Sequence, residues 1–587
     1  MVSAYDGAVR RTRLFQSMLA LLAVALLAGL VMTGSHPSVL SWTLAALVPV
    51  ASMAAFGLRN ASARSKVLFR LRGYYESGVA RLTRQWDSLP PGEEYLDSTH
   101  LYAGGLNLFG RGSLYQVLCS ARTRAGKDTL ARWMKEPASI EEACARAAAV
   151  RELRSCVDLR EALAAAGPSR SSDFRIETFR EWVQSAPPNF PAWAPPLAFL
   201  LACAAVCIGA VCLAQWSLNL LANPYVAAVF GLQAGFSLQF VHRVRAVLQW
   251  LSAPSAELPT VCQVVRILEE RRFTAPKLAA LSECLVLGDF SASRELRRLL
   301  RLVTLLSQRD NPWFTLFSYL LLWGTQFAMG ISRWSRQHRT HLLPWLEAVG
   351  EFEALMSLAT YASEHPRDTF PEFIVDGPLI QAREIGHPLL DEAACVRNDF
   401  QVGDSPRFLV ISGSNMSGKS TFLRAVALNA VLARMGAPVR CQHLRLSDLQ
   451  VGASILVQDS LADGRSHFLA ELESLRKMID AAGRAPLLFV VDEILIGTNS
   501  GDRLVAAEWV VRALVGRGAV GLISTHDLAL TGIVNAPRLD GANFHFADTG
   551  DPAGLQFDYR LRPGVVERSN ALSIVRSLGI ATDEGLT

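Results

Sequence analysis

Apolar positions recur every three or four residues along most of this chain, but in two places they run together without a charge. Residues 14–33 and 38–58 form uncharged stretches of 20 and 21 residues, separated by the turn Gly34-Ser35-His36-Pro37. Each is long enough to cross a hydrocarbon layer of roughly 30 Å as a helix. Arg10, Arg11 and Arg13 precede the pair, and Arg59, Arg64 and Lys66 follow it. Positive charge at both ends, and none in the turn, predicts a hairpin with both ends on the cytoplasmic side. A second pair is predicted at about 196–216 and 221–241, turning at Asn223-Pro224 and followed by His242, Arg243 and Arg245. Gly231 and Gly235, four positions apart, let helices approach closely there. Trp313–Ile331 is also uncharged. Four crossings keep the rest of the chain in the cytoplasm and a fifth would not, so this stretch is expected to be a buried or membrane-surface helix. The same argument excludes a cleaved signal peptide.

Between the apolar pairs the pattern is helical. Residues 113–165 carry apolar side chains at helical steps (Leu114, Val117, Leu118; Val150, Leu153, Val157), and residues 256–310 continue in the same way. The arginine pairs 271–272 and 297–298 fit solvated helix faces, and Pro366, Pro371 and Pro388 punctuate a linker. The chain of 587 residues is 50% hydrophobic and 19% charged, unusual for a soluble protein of this size and explained by the apolar pairs. A net charge of +5 is too small to imply nucleic acid by itself. None of the 10 cysteines forms a C-x-x-C pair. Cys203, Cys207 and Cys212 fall in a predicted span, and Cys119, Cys156 and Cys262 read as small buried hydrophobes. Neither a zinc site nor a disulfide framework is indicated.

Near residue 375 the period changes to short apolar strands, and chemistry appears at their ends. Phe408–Ile411 is a strand, and residues from Thr421 onward have helical spacing. Between them Gly413-Ser414-Asn415-Met416-Ser417-Gly418-Lys419-Ser420 is a complete G-x-x-x-x-G-K-[ST] phosphate loop. Its glycines let backbone amides curl around a phosphate at the positive end of the following helix. Lys419 would reach the β- and γ-phosphates of ATP, and the Ser420 hydroxyl would ligate Mg²⁺. The run Leu487–Val491 then ends in Asp492-Glu493, as a buried parallel strand does with carboxylates at its carboxyl end. Asp492 would hold Mg²⁺ through water, and Glu493 would orient or deprotonate the attacking water. A third strand, Ala519 to Thr525, ends at His526, placed to sense the γ-phosphate. Together these predict an ATP-hydrolysing site.

From Gly386 to Leu530 the residues resemble the MutS ATPases of DNA mismatch repair. Gly386-His387-Pro388 and Arg397-Asn398-Asp399 resemble the opening of that family's ATPase domain. Ser414 to Thr421 is similar to its Pro-Asn-Met-Gly-Gly-Lys-Ser-Thr, with serine for proline and for one glycine. Gln458 to Leu472 resembles its signature segment, Asp492-Glu493-Ile494 and Gly497-Thr498 its acidic strand and following loop, and Ser524-Thr525-His526 its switch histidine. Fainter likeness extends to Arg122-Thr123-Arg124-Ala125-Gly126 and to Glu353–Ala359, which resemble its helical core and the return of its lever helices. The resemblance implies an α/β P-loop domain with a mixed sheet after an all-α region. It also implies that ATP is shared between two subunits, with Ser466 of one chain contacting the γ-phosphate held by the other. A homodimer is therefore the expected unit, with ATP and Mg²⁺ as ligand and cofactor and DNA as a candidate partner.

The departures are equally specific. Residues 59–100 contain no Phe-x-Glu wedge, so mismatch reading is not expected. Leu495-Ile496 replaces the small residue and arginine usual after the acidic pair, and the second apolar hairpin interrupts the helical core. The expected organisation is a membrane hairpin at 1–70, linker and helical core at 71–190, and a second hairpin at 191–245. A helical lever region at 246–374 and the ATPase domain at 375–587 follow. The expectation is a multi-pass ATPase of the cytoplasmic membrane with a clamp that binds duplex or branched DNA. The alternative is an ATP-driven switch on membrane or protein partners without DNA. A transporter of the ATP-binding-cassette class fits least: Ser466 follows Lys419 by 47 residues, too few for that class's inserted subdomain, and no Leu-Ser-Gly-Gly-Gln occurs.

Overall fold

The computed structural model describes residues 64–166, 185, 188–214, 224–252, 257–287, 290–311, 314–455, 467–496, 498–548 and 557–566. The first apolar pair (14–33 and 38–58) and Ser466 lie outside the described residues. An α-helical body precedes two β-sheets. Its described helices of ten residues or more are α1 (64–83), α2 (Arg124–Lys135), α3 (Ile140–Arg154), α4 (Ala194–Ala214), α5 (Pro224–Ser252), α6 (Leu258–Glu270), α7 (Pro276–Leu285), α8 (Ala292–Ser307) and α9 (Trp323–Glu364). Local chemistry sets the helix starts. The hydroxyls of Thr123, Ser139 and Ser291 accept from the backbone N–H of Gly126, Glu142 and Arg294, capping α2, α3 and α8.

The organising element is α9, 42 residues long and therefore about 63 Å at 1.5 Å per residue. It packs along α2, α3, α5 and α8. Val349, Phe352, Leu355 and Leu358 are completely buried, each contributing about 1.5–3 kcal/mol of apolar burial. Small residues bring α2 and α9 close: a Cβ on Gly350 would lie 2.7 Å from Thr129 Oγ1 and 2.9 Å from Ala125 O. Glu353, buried in the same crossing, accepts from the N–H groups of Arg122 (3.1 Å) and Thr123 (3.0 Å) and from the Thr123 hydroxyl. A single carboxylate on α9 thus serves the amides at the start of α2.

Helices α4 and α5 are long and apolar enough to cross a membrane, and only 22% of each apolar window is buried within the chain. Phe199, Leu200, Leu232 and Leu238 are 63–71% exposed. The buried Gln233 side chain donates to Leu201 O (3.1 Å) and Leu320 O (3.0 Å), tying α5 to α4 and to a short helix at Thr315–Leu320. The single helix expected over 313–331 is in fact two pieces. Leu322 adopts φ +49°, and α9 starts at Trp323. The break is held by side chains, with Gln326 donating to Leu321 O (2.7 Å) and Trp323 Nε1 to Leu305 O (2.6 Å). The helical reading of 256–310 also missed a two-stranded hairpin, Val286–Leu287 against Phe290–Ser291, too short to leave a periodic signal.

The strands are β1 (Glu372–Phe373), β2 (Ile380–Ile385), β3 (Asn398–Val402), β4 (Phe408–Ser412), β5 (His443–Leu446), β6 (Gln450–Ser454), β7 (Leu487–Val491), β8 (Val520–Thr525), β9 (Gly541–Asp548) and β10 (Phe557–Pro563). A six-stranded sheet has the order β10-β9-β4-β8-β7-β6, parallel except for antiparallel β10. A four-stranded sheet has the order β1-β5-β2-β3. Between the strands run α10 (Lys419–Met435), α11 (His467–Ala482) and α12 (Ser500–Val515). Alternate residues of β4 enter different cores: Leu409 and Ile411 join the one containing α10, Phe408 and Val410 the one containing α11 and α12. Burial on both faces explains the unbroken apolar runs in the sequence.

Candidate nucleotide site

Three parallel strands, β4, β8 and β7, lie side by side with their carboxyl ends on one edge, and each delivers a part of the site there. After β4 the chain turns through residues 413–418 into α10. Gly418 holds φ +102°, and a Cβ on Gly413 would come within 2.9 Å of Ser417 Oγ and 3.0 Å of Phe546 O. The loop therefore needs glycine at both places. Lys419, 4% exposed, donates from Nζ to Gly413 O (2.9 Å) and Ser414 O (2.8 Å), so its ammonium closes the loop. Asn415, Met416, Gly418, Lys419, Ser420 and Thr421 face a shared cleft; Met416 is exposed at its mouth, and Ser417 is buried beneath the loop.

After β7 come Asp492 and Glu493. Ser524, at the end of β8, donates its hydroxyl to Asp492 Oδ1 and accepts from Glu493 N–H (3.0 Å). This small residue holds both acids in register. Glu493 sits at φ +50° and lines the cleft with Lys419. His526 Nδ1 lies 3.5 Å from Glu493 Oε1, so the strand-end histidine and the acid form a pair. Leu495, in the departure from the MutS pattern, has φ +55° and donates its N–H to the buried Glu471 carboxylate (2.6 Å).

The cleft has a volume of about 640 Å³, within the range of small-molecule sites. Its lining is mixed: Lys419, Ser420, Thr421 and Glu493 contribute polar groups, and Leu390, Val396, Phe422, Phe546 and Tyr559 contribute apolar surface. The second wall comes from Ile385 to Asn398. The Asn398 side chain donates to Tyr559 O (3.0 Å) and accepts from Leu561 N–H (2.7 Å), fixing β3 against β10. His387 Nδ1 accepts from Leu389 N–H (3.1 Å), which leaves Nε2 as the protonated nitrogen. Burial, reinforced by Arg424, Arg84 and Arg440, pushes the His387 pKa down to about 4. The ring is therefore neutral at physiological pH.

The donor set suits a triphosphate with Mg²⁺. The Ser417 hydroxyl and Arg424 Nε are buried without a hydrogen-bond partner among the described residues, next to and one turn beyond the loop. Ser420 and Asp492 offer one hydroxyl and one carboxylate, few and hard protein oxygens of the kind Mg²⁺ accepts beside phosphate and water.

The comparisons with known proteins agree with this geometry. Residues 409–583 match the family model of MutS domain V. The DNA mismatch repair protein MutS of Natronomonas pharaonis is 34% identical over 242 residues, 40% of this chain and 27% of that protein. DNA mismatch repair protein MutS 2 of Halobacterium salinarum is 35% identical over the same length. A MutS of Thermus thermophilus is 29% identical over 331 residues, 55% of this chain and 36% of its own length. Residues 409–583 are thus similar to MutS domain V. The chain spans about a quarter to a third of the length of the curated relatives it matches. The matched segment begins inside β4, so the His387 wall precedes it. Sequence reasoning assigned no role to that wall, to Phe546 or to Tyr559, because they arrive from distant strands. Ser524 was visible as a hydroxyl just before Thr525-His526, and its place at the end of a strand beside the acidic one was the available signal.

Proposed function

We propose that this chain is a MutS-type ATPase, anchored in the membrane, in which ATP closes two copies on each other and long helices carry that motion to a clamp. The observation that carries this reading is the joining of Lys419 and Glu493 in one cleft that also has apolar lining. Backbone amides of residues 414–419 and the Lys419 ammonium bind the β- and γ-phosphates, and the apolar lining receives the base. Mg²⁺, held by Ser420 and by Asp492 through water, supplies neutralisation of phosphate charge. Glu493 orients the attacking water and accepts its proton, and His526, paired with Glu493, senses the γ-phosphate. Ser466 of a second copy completes the site across a homodimer.

The anchoring rests on α4 and α5, whose apolar windows are mostly uncovered among the described residues, and on the uncharged stretches 14–33 and 38–58. Arginines on both sides of the first pair and after the second favour a cytoplasmic position for the ATPase. DNA is proposed as the ligand of the clamp because the relatives are named DNA mismatch repair proteins. A second reading, a switch acting on membrane or protein partners, is favoured by the packing of α9 against α4 and α5, which directs the motion toward the apolar pair. The test is ATP hydrolysis by the full chain in lipid nanodiscs with plain, mismatched and branched duplexes. Stimulation by one DNA form supports the first reading, hydrolysis indifferent to all of them supports the second, and no hydrolysis sinks both.

A further inference from the structure

The His387 wall of the cleft is gripped from outside by the first described helix of the chain. Helix α1 ends in a Schellman turn: Gln85 N–H donates to Ala80 O (2.8 Å), and the intervening Arg84 adopts φ +59°. Glycine is the residue this position favours, because a side chain is strained in the left-handed region. Arginine stands there instead, and its side chain has a use. The guanidinium extends from the turn and donates its two terminal nitrogens to the carbonyls of Leu389 and Leu390, more than 300 residues away in sequence. A fork of two parallel donors suits arginine and not lysine.

Those carbonyls belong to the turn that sets the cleft wall. Leu390 N–H donates to His387 O (3.0 Å), and Leu389 N–H orients the imidazole of His387. From the other side Arg440, 2% exposed, donates to Leu390 O (2.6 Å), and its backbone carbonyl accepts from Gly386 N–H (2.8 Å). Arg440 is in turn 3.6 Å from Asp368, which accepts from the Tyr361 hydroxyl on α9 (2.9 Å). Three residues before Arg84, Arg81 forms a forked pair with Glu364 at the end of α9, at 2.5 and 2.9 Å. The ends of α1 and α9 are therefore fastened together and both reach the segment Gly386–Leu390. Helix α1 is described from residue 64, six positions after the first apolar pair ends at Leu58.

We propose that Arg84 is a positioning residue through which α1 sets the affinity of the cleft for nucleotide, making α1 a strut against the Gly386–Leu390 wall. This rests on reading the cleft as an ATP site. The strut acts on binding and leaves the hydrolytic groups Lys419 and Glu493 untouched, so its removal separates affinity from turnover.

The test uses the full chain in nanodiscs, with equilibrium binding of a fluorescent ATP analogue, steady-state hydrolysis and nucleotide-free thermal unfolding. In Arg84→Gly the strained position receives its favoured residue, so unfolding temperature is held or raised while the fork is lost. The expected result is a rise of about tenfold in Kd and KM, equivalent to ~1.4 kcal/mol, with kcat within about twofold of wild type. Arg84→Lys, restoring charge without the fork, is expected to fall between the two. Wild-type KM in Arg84→Gly, or a fall in kcat with KM unchanged, overturns the proposal while leaving the ATP site intact. Failure of the unmodified chain to bind the analogue overturns the ATP reading and the proposal with it.

Discussion

His387 makes a pH prediction with a defined window. An ordinary imidazole takes its proton near 6.5, whereas burial and three neighbouring guanidinium groups move this one down to about 4. Between those values the unfolded chain binds a proton that the folded chain refuses. Stability from the neutral ring is thus fully present above pH 6.5 and is lost as pH falls through about 4. At ~1.4 kcal/mol per pH unit the loss is roughly 3 kcal/mol. That corresponds to roughly 6–12 °C in apparent unfolding temperature for a domain of this size. Carboxylates titrate over the same window, so the assay is differential. Unfolding temperatures of wild type and His387→Gln are compared at pH 7.5 and pH 4, without nucleotide. The glutamine oxygen retains an acceptor for Leu389 N–H and takes up no proton in this range. Wild type is expected to lose several degrees more than the variant over this interval; parallel losses would refute the argument that a buried cationic surround keeps this ring neutral.

Three further outcomes follow. Glu493→Gln should abolish ATP hydrolysis while leaving ATP binding within a few-fold of wild type, measured by single-turnover hydrolysis beside equilibrium binding. Ser466→Ala should likewise bind ATP but lose hydrolysis, and mixing it with Glu493→Gln should restore part of the activity through a mixed dimer with one complete site; no recovery in the mixture would count against a shared site. At Gly521 an added Cβ would lie 2.1 Å from the carbonyl oxygen of Phe489 on the paired strand β7. Gly521→Ala should therefore destabilise the ATPase domain by roughly 1–3 kcal/mol or more, read as a drop in denaturant midpoint.

The parts of this molecule that were legible in its sequence are those dictated by neighbours in the chain. The loop from Gly413 to Ser420 declares itself because its glycines, lysine and hydroxyl must be contiguous to wrap a phosphate. Strands β4, β7 and β8 are readable because burial on both faces leaves uninterrupted apolar runs, and α4 and the part of α5 before Arg243 because uncharged stretches of that length are rare. What was not legible depends on contacts across hundreds of residues. Nothing around Arg84 indicates that its guanidinium ends on Leu389 and Leu390. Nothing near Tyr559 indicates that it abuts Gly418, against which an added Cβ would lie 3.0 Å from the ring. The break at Leu322 was hidden too, since hydropathy over 313–331 is continuous and the contacts that hold it, Gln326 to Leu321 O and Trp323 to Leu305 O on α8, leave no periodic signal.

The length of α9 has a geometric corollary. A rod of about 63 Å pivoting at its Glu364 end converts a tilt of about 5° into a sweep of about 5 Å at Trp323, one helical turn's worth of travel. Angular changes too small to disturb the packing around Arg81 and Asp368 would thus be magnified into displacements comparable to a side chain at the opposite tip. Pro344, which lacks the N–H to bond the preceding turn, sits near the middle of that rod and is its softest point. Its stiffness there decides how much of the sweep arrives and how much is absorbed as bending.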